Sequence, residues 1–340
     1  EIRPRDWSSD VCSSDLGTAH ADEIADFYRN RQLDIVVGTG PGGGYDANAR
    51  LLARHLGRHV PGNPTVVVNN MPGGGGIVAA NWLYNVAPKT GAVIGTFSNA
   101  MLTQPLFGAD SVRFETTKFA WIGSLSREDG VCIASRASGV KTFEDFRRRN
   151  AVVGTTAPGT TTHLFPTLLN KLFDTPMRFV TGYADGSSIV LALQRGEVEA
   201  ICQTWSSLKI AHPELIPQGV ATPVISIGLG ANPELSGLAA ITDLARNDEQ
   251  RDILKIILAP TVAGRPFAAP PGAPAERVSA LRAAFAATLE DRAFLEDARR
   301  LRVEVSSTTG AEMESLLTAI FAASPQLIER VRALLGVSGR

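Results

Sequence analysis

Apolar residues in this chain fall in short β-branched runs that alternate with stretches of helical period, and several runs end at glycine. The run 33–38, Leu-Asp-Ile-Val-Val-Gly, reads as a parallel strand covered on both faces. Leu51, Leu52 and Leu56 then share one face of a helix over 47–59, with Asp46 placed as its N-cap. A strand of Thr and Val follows at 64–69, a helix at 77–86 and a third strand at 93–98. Runs 119–125 and 131–134 read as the crossover to a second lobe. There the pattern repeats: strand 151–154, helix 163–173, strand 177–180, helix 189–195, strand 198–203. The return is expected through 222–227. Pro266, Pro270, Pro271 and Pro274 mark a stiff connection before amphipathic helices at 275–288 and 291–301. A short strand at 304–307 precedes Thr309 and Glu312, which carry the spacing of a capping box and open a terminal helix. This order predicts an α/β protein of two lobes, each a mainly parallel sheet flanked by helices. One lobe takes residues 22–127 and 223–340, and the other takes 128–222.

Two glycine-rich loops stand between a strand and a helix. The first runs through Gly40, Pro41, Gly42, Gly43, Gly44, Tyr45 and Asp46, and the second through Thr155, Thr156, Pro158, Gly159, Thr160, Thr161 and Thr162. Backbone N–H groups at a helix start have no intrahelical partner and lie at the positive end of the helix dipole, so each loop suits an anion. Ligands in such sheets bind beyond the carboxyl ends of the strands, where Tyr45, Gly74, Ser98 and Asn99 are expected to meet. On the second lobe Tyr183 and Gly186 lie in the turn 181–188, and Trp205 follows a strand end. Tyr183 reads equally as a cleft wall or a surface turn aromatic. Trp205 reads as a core or hinge residue in preference to a stacking platform. Asp46 serves as a cap in preference to a ligand contact, and Arg50 packs or pairs with a carboxylate.

Composition narrows the chemistry. At 340 residues with 44% apolar content the chain can build two cores. A formal net charge of −1 gives no global attraction to nucleic acid or to an anionic membrane. Residues 1–16 contain the near-repeat Ser8-Ser9-Asp10-Val11-Cys12 and Ser13-Ser14-Asp15-Leu16, which has no structural period and is set aside; 1–21 as a whole read as an artefact or leader remnant. Ala19-His20-Ala21 fits the small-x-small end of a secretory signal as well as it fits a chance Ala-rich stretch. Cys132 and Cys202 sit in strand-like runs. They read first as buried free thiols, with one disulfide in an oxidising compartment as the alternative. His55 and His59 are spaced i, i+4 without a third ligand and read as exposed helix-surface histidines. No metal or cofactor is expected.

The loop Gly40-Pro41-Gly42-Gly43-Gly44-Tyr45-Asp46 with Ala49-Arg50-Leu51-Leu52 resembles the first-loop signature of Bug-type receptors of the tripartite tricarboxylate transporters. Asn70-Met71-Pro72-Gly73-Gly74-Gly75, Ala87-Pro88-Lys89-Thr90-Gly91, Gly182-Tyr183-Ala184-Asp185-Gly186-Ser187, Arg195-Gly196-Glu197-Val198-Glu199 and Arg265-Pro266-Phe267-Ala268-Ala269-Pro270-Pro271-Gly272 follow in the family's order, over roughly 27–335. The resemblance implies a two-lobed, type II Venus-flytrap fold and a periplasmic, monomeric solute-binding protein. It also implies a small carboxylate ligand, held by backbone N–H groups of both lobes, and delivery to a large and a small membrane subunit. Thr39 stands where the family more often has Phe or Tyr, and the triple threonine replaces frequent serine; both bear on ligand choice.

Two other functions compete. The same flytrap can report ligand occupancy to a signalling partner. An α/β enzyme using a nucleotide would employ Gly38-Thr39-Gly40-Pro41-Gly42-Gly43 as a loose G-x-G-x-x-G, but Val68-Asn69-Asn70 stands where the ribose-binding acid belongs. No Gly-Lys-Ser/Thr follows either loop, and no Gly-x-Ser-x-Gly elbow occurs. Replacing Gly43 by valine is expected to abolish ligand binding while moving the melting temperature little. A titration and a melting curve on the same sample check this, and a large loss of fold would count against a purely functional loop.

Overall fold

The structure, a computed structural model, describes residues 23–336 apart from 43, 108–110, 157–159, 185 and 231. The expectations placed on Gly43, Gly159, Asp185, Cys12 and the Ala19–Ala21 stretch lie outside the described residues. The strands are β1 (Gln32–Val37), β2 (Thr65–Asn70), β3 (Val93–Thr96), β4 (Ala120–Ser124), β5 (Gly130–Ser135), β6 (Val152–Gly154), β7 (Arg178–Val180), β8 (Ala200–Thr204), β9 (Ala221–Ile227), β10 (Ala239–Ala240), β11 (Pro266–Ala269) and β12 (Thr308–Thr309). The helices are α1 (Gly44–Leu56), α2 (Ile77–Asn85), α3 (Phe143–Arg148), α4 (Thr161–Phe173), α5 (Gly186–Gln194), α6 (Trp205–Ala211), α7 (Asp248–Val262), α8 (Ala275–Glu290), α9 (Arg292–Arg300), α10 (Gly310–Phe321) and α11 (Pro325–Leu335).

Two six-stranded sheets result, ordered β12-β4-β11-β3-β1-β2 and β10-β9-β5-β8-β6-β7. Both are mixed. In the first, β1 pairs in parallel with β2 and β3, and β11, β4 and β12 complete it antiparallel. In the second, β6 runs parallel to β7 and β8, whereas β5 is antiparallel to β8 and β9. The β-branched run of β1 is buried on both faces. Leu33, Ile35 and Val37 pack with Leu51, Leu52 and Phe285, and Val36 packs on the other side with Ala79, Leu83 and Trp121. That is the period of two expected of a central strand. Thr309 and Glu312 do form the capping box of α10.

The residues 222–227, expected as the return to the first lobe, lie in β9 and pair with β5 in the second sheet. The chain passes back only after α7. There Glu128 N–H donates to Thr261 O at 2.8 Å, Gly264 N–H to Ser126 O at 2.8 Å, and Leu125 N–H to Arg265 O at 3.1 Å. The two connecting segments are thus stitched to each other. Periodicity marks a strand but not the sheet that receives it, because the choice of neighbour depends on contacts far away in sequence.

Two side-chain expectations are corrected. Cys132 and Cys202, read first as free thiols, form a disulfide. They face each other directly in the β5–β8 register, which no sequence spacing reveals. His55, read as exposed, is buried; its Nε2 meets Asp297 Oδ2 at 2.8 Å, and His59 Nε2 meets Asp291 Oδ2 at 2.8 Å. His55 therefore binds α1 to α9, and His59, in the turn after α1, binds the N-cap Asp291 of α9. Replacing both cysteines by alanine removes a link between residues 70 positions apart and is expected to lower the unfolding free energy by roughly 2–4 kcal/mol. Urea titration of the variant beside the wild type reads this directly.

Candidate functional site

Three connections leave the carboxyl ends of β1, β2 and β3 on the first sheet and pack tightly. A Cβ on Gly38 would stand 3.0 Å from Phe97 Cβ and 3.1 Å from Gly76 Cα, and one on Gly76 would stand 3.2 Å from Ser98 N. Gly76 also has φ +107, in the left-handed region where other residues are strained. Glycine is therefore required there for close approach. Gly74 begins the same turn and is exposed, as are Pro41 and Gly42 on the first loop.

Asp46 fixes the shape of that first loop. It is buried within the first turn of α1, two residues inside the helix start, so it is not the N-cap expected from the sequence. Its Oδ2 accepts the Gly42 N–H at 2.9 Å, its Oδ1 accepts from Asn70 Nδ2 at 2.9 Å, and Arg50 Nε donates to both oxygens at 3.0 and 2.9 Å. Asn70 Nδ2 also donates to Thr39 O at 3.0 Å. With its lone pairs so engaged, Asp46 holds the loop and leaves little for a ligand. The Arg50 guanidinium foremost, with the Gly42 and Asn70 bonds helping against desolvation, lowers its carboxyl from 3.8 to about 2.

Beside it, Tyr45 joins the first loop to the third. The Asn99 N–H donates to Tyr45 Oη at 2.8 Å, and Asn99 Nδ2 donates to Pro260 O at 2.7 Å. The Arg265 guanidinium lies over the Tyr45 ring, 4.5 Å from its centroid, and is ion-paired with Glu128. Burial pushes the Tyr45 hydroxyl and the Glu128 carboxyl up, with Arg265 opposing both. Sequence reading found Tyr45 and Asn99 but missed Asn70, Glu128 and Arg265 as parts of the site. Arg265 and Glu128 are 137 positions apart in the chain, and only the stitched connections bring them together. Ser98 caps the turn after β3, its Oγ accepting the Ala100 N–H at 3.4 Å.

On the second sheet the hydroxyls of Thr156, Thr160 and Thr162 form a triangle with edges of 2.8, 2.7 and 3.0 Å at the N-terminus of α4. Thr162 Oγ1 also accepts the Thr156 N–H at 3.1 Å. Thr161 opens α4 and is exposed. Thr155 is fully buried, and its hydroxyl has no hydrogen-bond partner among the described residues. Gly186 opens α5 where a Cβ would strike Gln203 Oε1 at 2.4 Å.

Two adjoining cavities lie along these elements. One, of about 470 Å³, is lined by Thr156, Thr160, Thr162, Gly186, Ser187 and Ser207. The other, of about 280 Å³, is walled by Asn99, Phe107, Leu164, Phe165, Ile257 and Pro260, with Glu128 at its edge. Thr161 and Thr204 line both. The structure thus brings Asn99 from the first sheet and the threonines and Gly186 from the second to one cleft. It does not bring Trp205 there. That ring is buried in the second core, and its Nε1–H donates to Glu234 Oε2 at 2.5 Å. Tyr183 packs against the same core, with its ring 3.4 Å from where a Cβ on Gly154 would lie. Among the described residues no group of three metal-ligating side chains occurs.

Two mixed six-stranded sheets flanked by helices are the architecture of the two-lobed periplasmic-binding-protein fold. Comparison with solved structures agrees. The chain is similar to a TctC solute-binding protein from Polaromonas, with TM-score 0.72 and 18% identity over 91% of this chain and 99% of that one. It is also similar to the periplasmic binding protein BugD, with TM-score 0.61 and 21% identity over 92% and 100%. A Rhodopseudomonas palustris protein solved with adipate gives TM-score 0.60 and 20% identity over 91% and 98%. No protein-family model matches the chain, and no curated protein matches its sequence.

Because Asp46 acts through the loop, Asp46→Asn is expected to weaken ligand binding at neutral pH by about tenfold, the worth of one charge-assisted hydrogen bond. The sign of the pH effect follows from the lowered carboxyl. Its stabilisation is complete above the ordinary value of 3.8 and is lost as pH falls through about 2. The stability difference between wild type and variant should therefore shrink between those limits, as acid unfolding curves would read.

Proposed function

We propose that this chain is an extracytoplasmic solute-binding protein that captures a small carboxylate in the cleft between its lobes. Delivery is to a membrane transporter of the tripartite tricarboxylate type, with a large and a small subunit. The observation that carries the reading is the hydroxyl-lined cavity at the N-termini of α4 and α5 on the second sheet. Bare N–H groups, helix dipoles and hydroxyl donors suit a carboxylate without a salt bridge. Pro41, Gly42, Gly43, Gly44 and Tyr45 with Gly74, Ser98 and Asn99 form the first-lobe side, and Thr155–Thr162 the second.

Supporting features lie on several levels. The similar solved structures are binding and transport proteins, one of them holding adipate, which favours a receptor over an enzyme. The disulfide suits an oxidising compartment such as the periplasm. Among the described residues no helix is long and apolar enough to cross a membrane. We take the lobes to divide at the stitched connections near 125–128 and 261–265, so that closure bends those two segments and the closed state is the one presented to the transporter.

A thermal-shift panel of mono-, di- and tricarboxylates, amino acids, NAD and ATP on the purified protein tests the proposal. A carboxylate class is expected to raise the melting temperature in proportion to its concentration over Kd. Stabilisation by a nucleotide alone would sink the receptor reading.

A further inference from the structure

Resting on the carboxylate-receptor reading, we infer that the ligand is an amphipathic monocarboxylate, one carboxylate on a short aliphatic or aryl body, and that the cleft rejects di- and tricarboxylates. The inference comes from the unequal halves of the cleft. The half at the N-termini of α4 and α5 is hydroxyl-rich, with Thr156, Thr160, Thr162 and Ser187 on its wall. It can hold one carboxylate. The other half, behind Thr161 and Thr204, is walled by Phe107, Leu164, Phe165, Ile257 and Pro260. Its volume of about 280 Å³ exceeds the roughly 150 Å³ that admits a benzene ring.

Charge points the same way. Among the described residues neither half is lined by lysine or arginine. The internal positions outside the description (43, 108–110, 157–159, 185 and 231) are glycine, alanine, proline and aspartate, and bring no cation. The ionisable groups in the apolar half are Glu128 and His163, and the His163 ring stands edge-on to Phe179 with centroids 5.4 Å apart. The nearby guanidinium of Arg265 pairs with Glu128 and donates to Gly264 O; it lines a neighbouring cavity with Gly44, Arg127 and Arg302, outside both halves. A second carboxylate placed in the apolar half would lose part of its hydration against Phe107, Leu164, Phe165 and Ile257, face Glu128 and find no lysine or arginine among the described residues of the wall. A methylene chain or ring gains there in proportion to the area it buries.

Hexanoate and adipate differ only by the terminal carboxylate and make a matched pair for calorimetric titration of the purified protein, with citrate as a third probe. Hexanoate is expected to bind at least tenfold more tightly than adipate, and citrate more weakly still. Gln104→Arg places a cation on the wall of the apolar half, at a half-buried position that tolerates a longer side chain, and is expected to move the preference toward adipate by tenfold or more. Adipate or citrate binding as well as or better than hexanoate would overturn the inference and leave the receptor reading intact. A hexanoate preference untouched by Gln104→Arg would overturn the placement of the body in this cavity. Silence from all carboxylates, with a folded melting curve, would remove the receptor reading and this inference together.

Discussion

Arg265 stands where the two sheets are joined, and the geometry of the cleft depends on how it is held. Its guanidinium pairs with Glu128 and covers the Tyr45 ring, while its backbone N–H donates to Ser124 Oγ at 3.0 Å. Glu128 and Arg265 belong to the two stitched segments at 125–128 and 261–265, so the pair ties those segments together. Both side chains are mostly buried, and burial disfavours a lone charge of either sign. Each therefore needs the other in place. The Arg265 charge is thereby committed to Glu128.

Glycine lets another group approach the backbone where a Cβ would not fit, and Gly38 and Gly76 show how closely the glycine loops themselves are packed against Phe97 and Ser98. Asp46, Arg50 and Asn70 brace the first loop from beneath, so its conformation does not depend on a ligand being present. On the opposite lobe the threonine triangle does the equivalent with neutral groups. Each of its hydroxyls is both a donor and an acceptor, so the three can order the loop among themselves.

How far the sequence could be read differs sharply between local and long-range features. Every strand through β9 lies within a few residues of its expected position, because β-branched runs ended by glycine or by turn residues are local signals. α3, α6 and α7 were not foreseen. Trp205–Ala211 follows β8 without a loop, and α7 carries Pro260 inside its last turn, which reads as a break when seen alone. At the cleft, Tyr45, Asn99 and the threonines were legible because they lie beside glycine loops. Trp205, which reads as a core or hinge residue in preference to a stacking platform, does pack in the second core.

What the sequence by itself determined is the strands through β9, the two glycine-rich loops at strand ends and the two-lobed order. All of these rest on patterns a few residues long. The tertiary structure alone decided which sheet receives β9, which cysteine faces which, that His55 is buried against Asp297, and that Arg265 meets Glu128. It also decided that one half of the cleft is polar and the other apolar. The physical reason is common to these cases. Each is a contact between residues far apart along the chain, and local pattern constrains a residue's own conformation without specifying its distant neighbour.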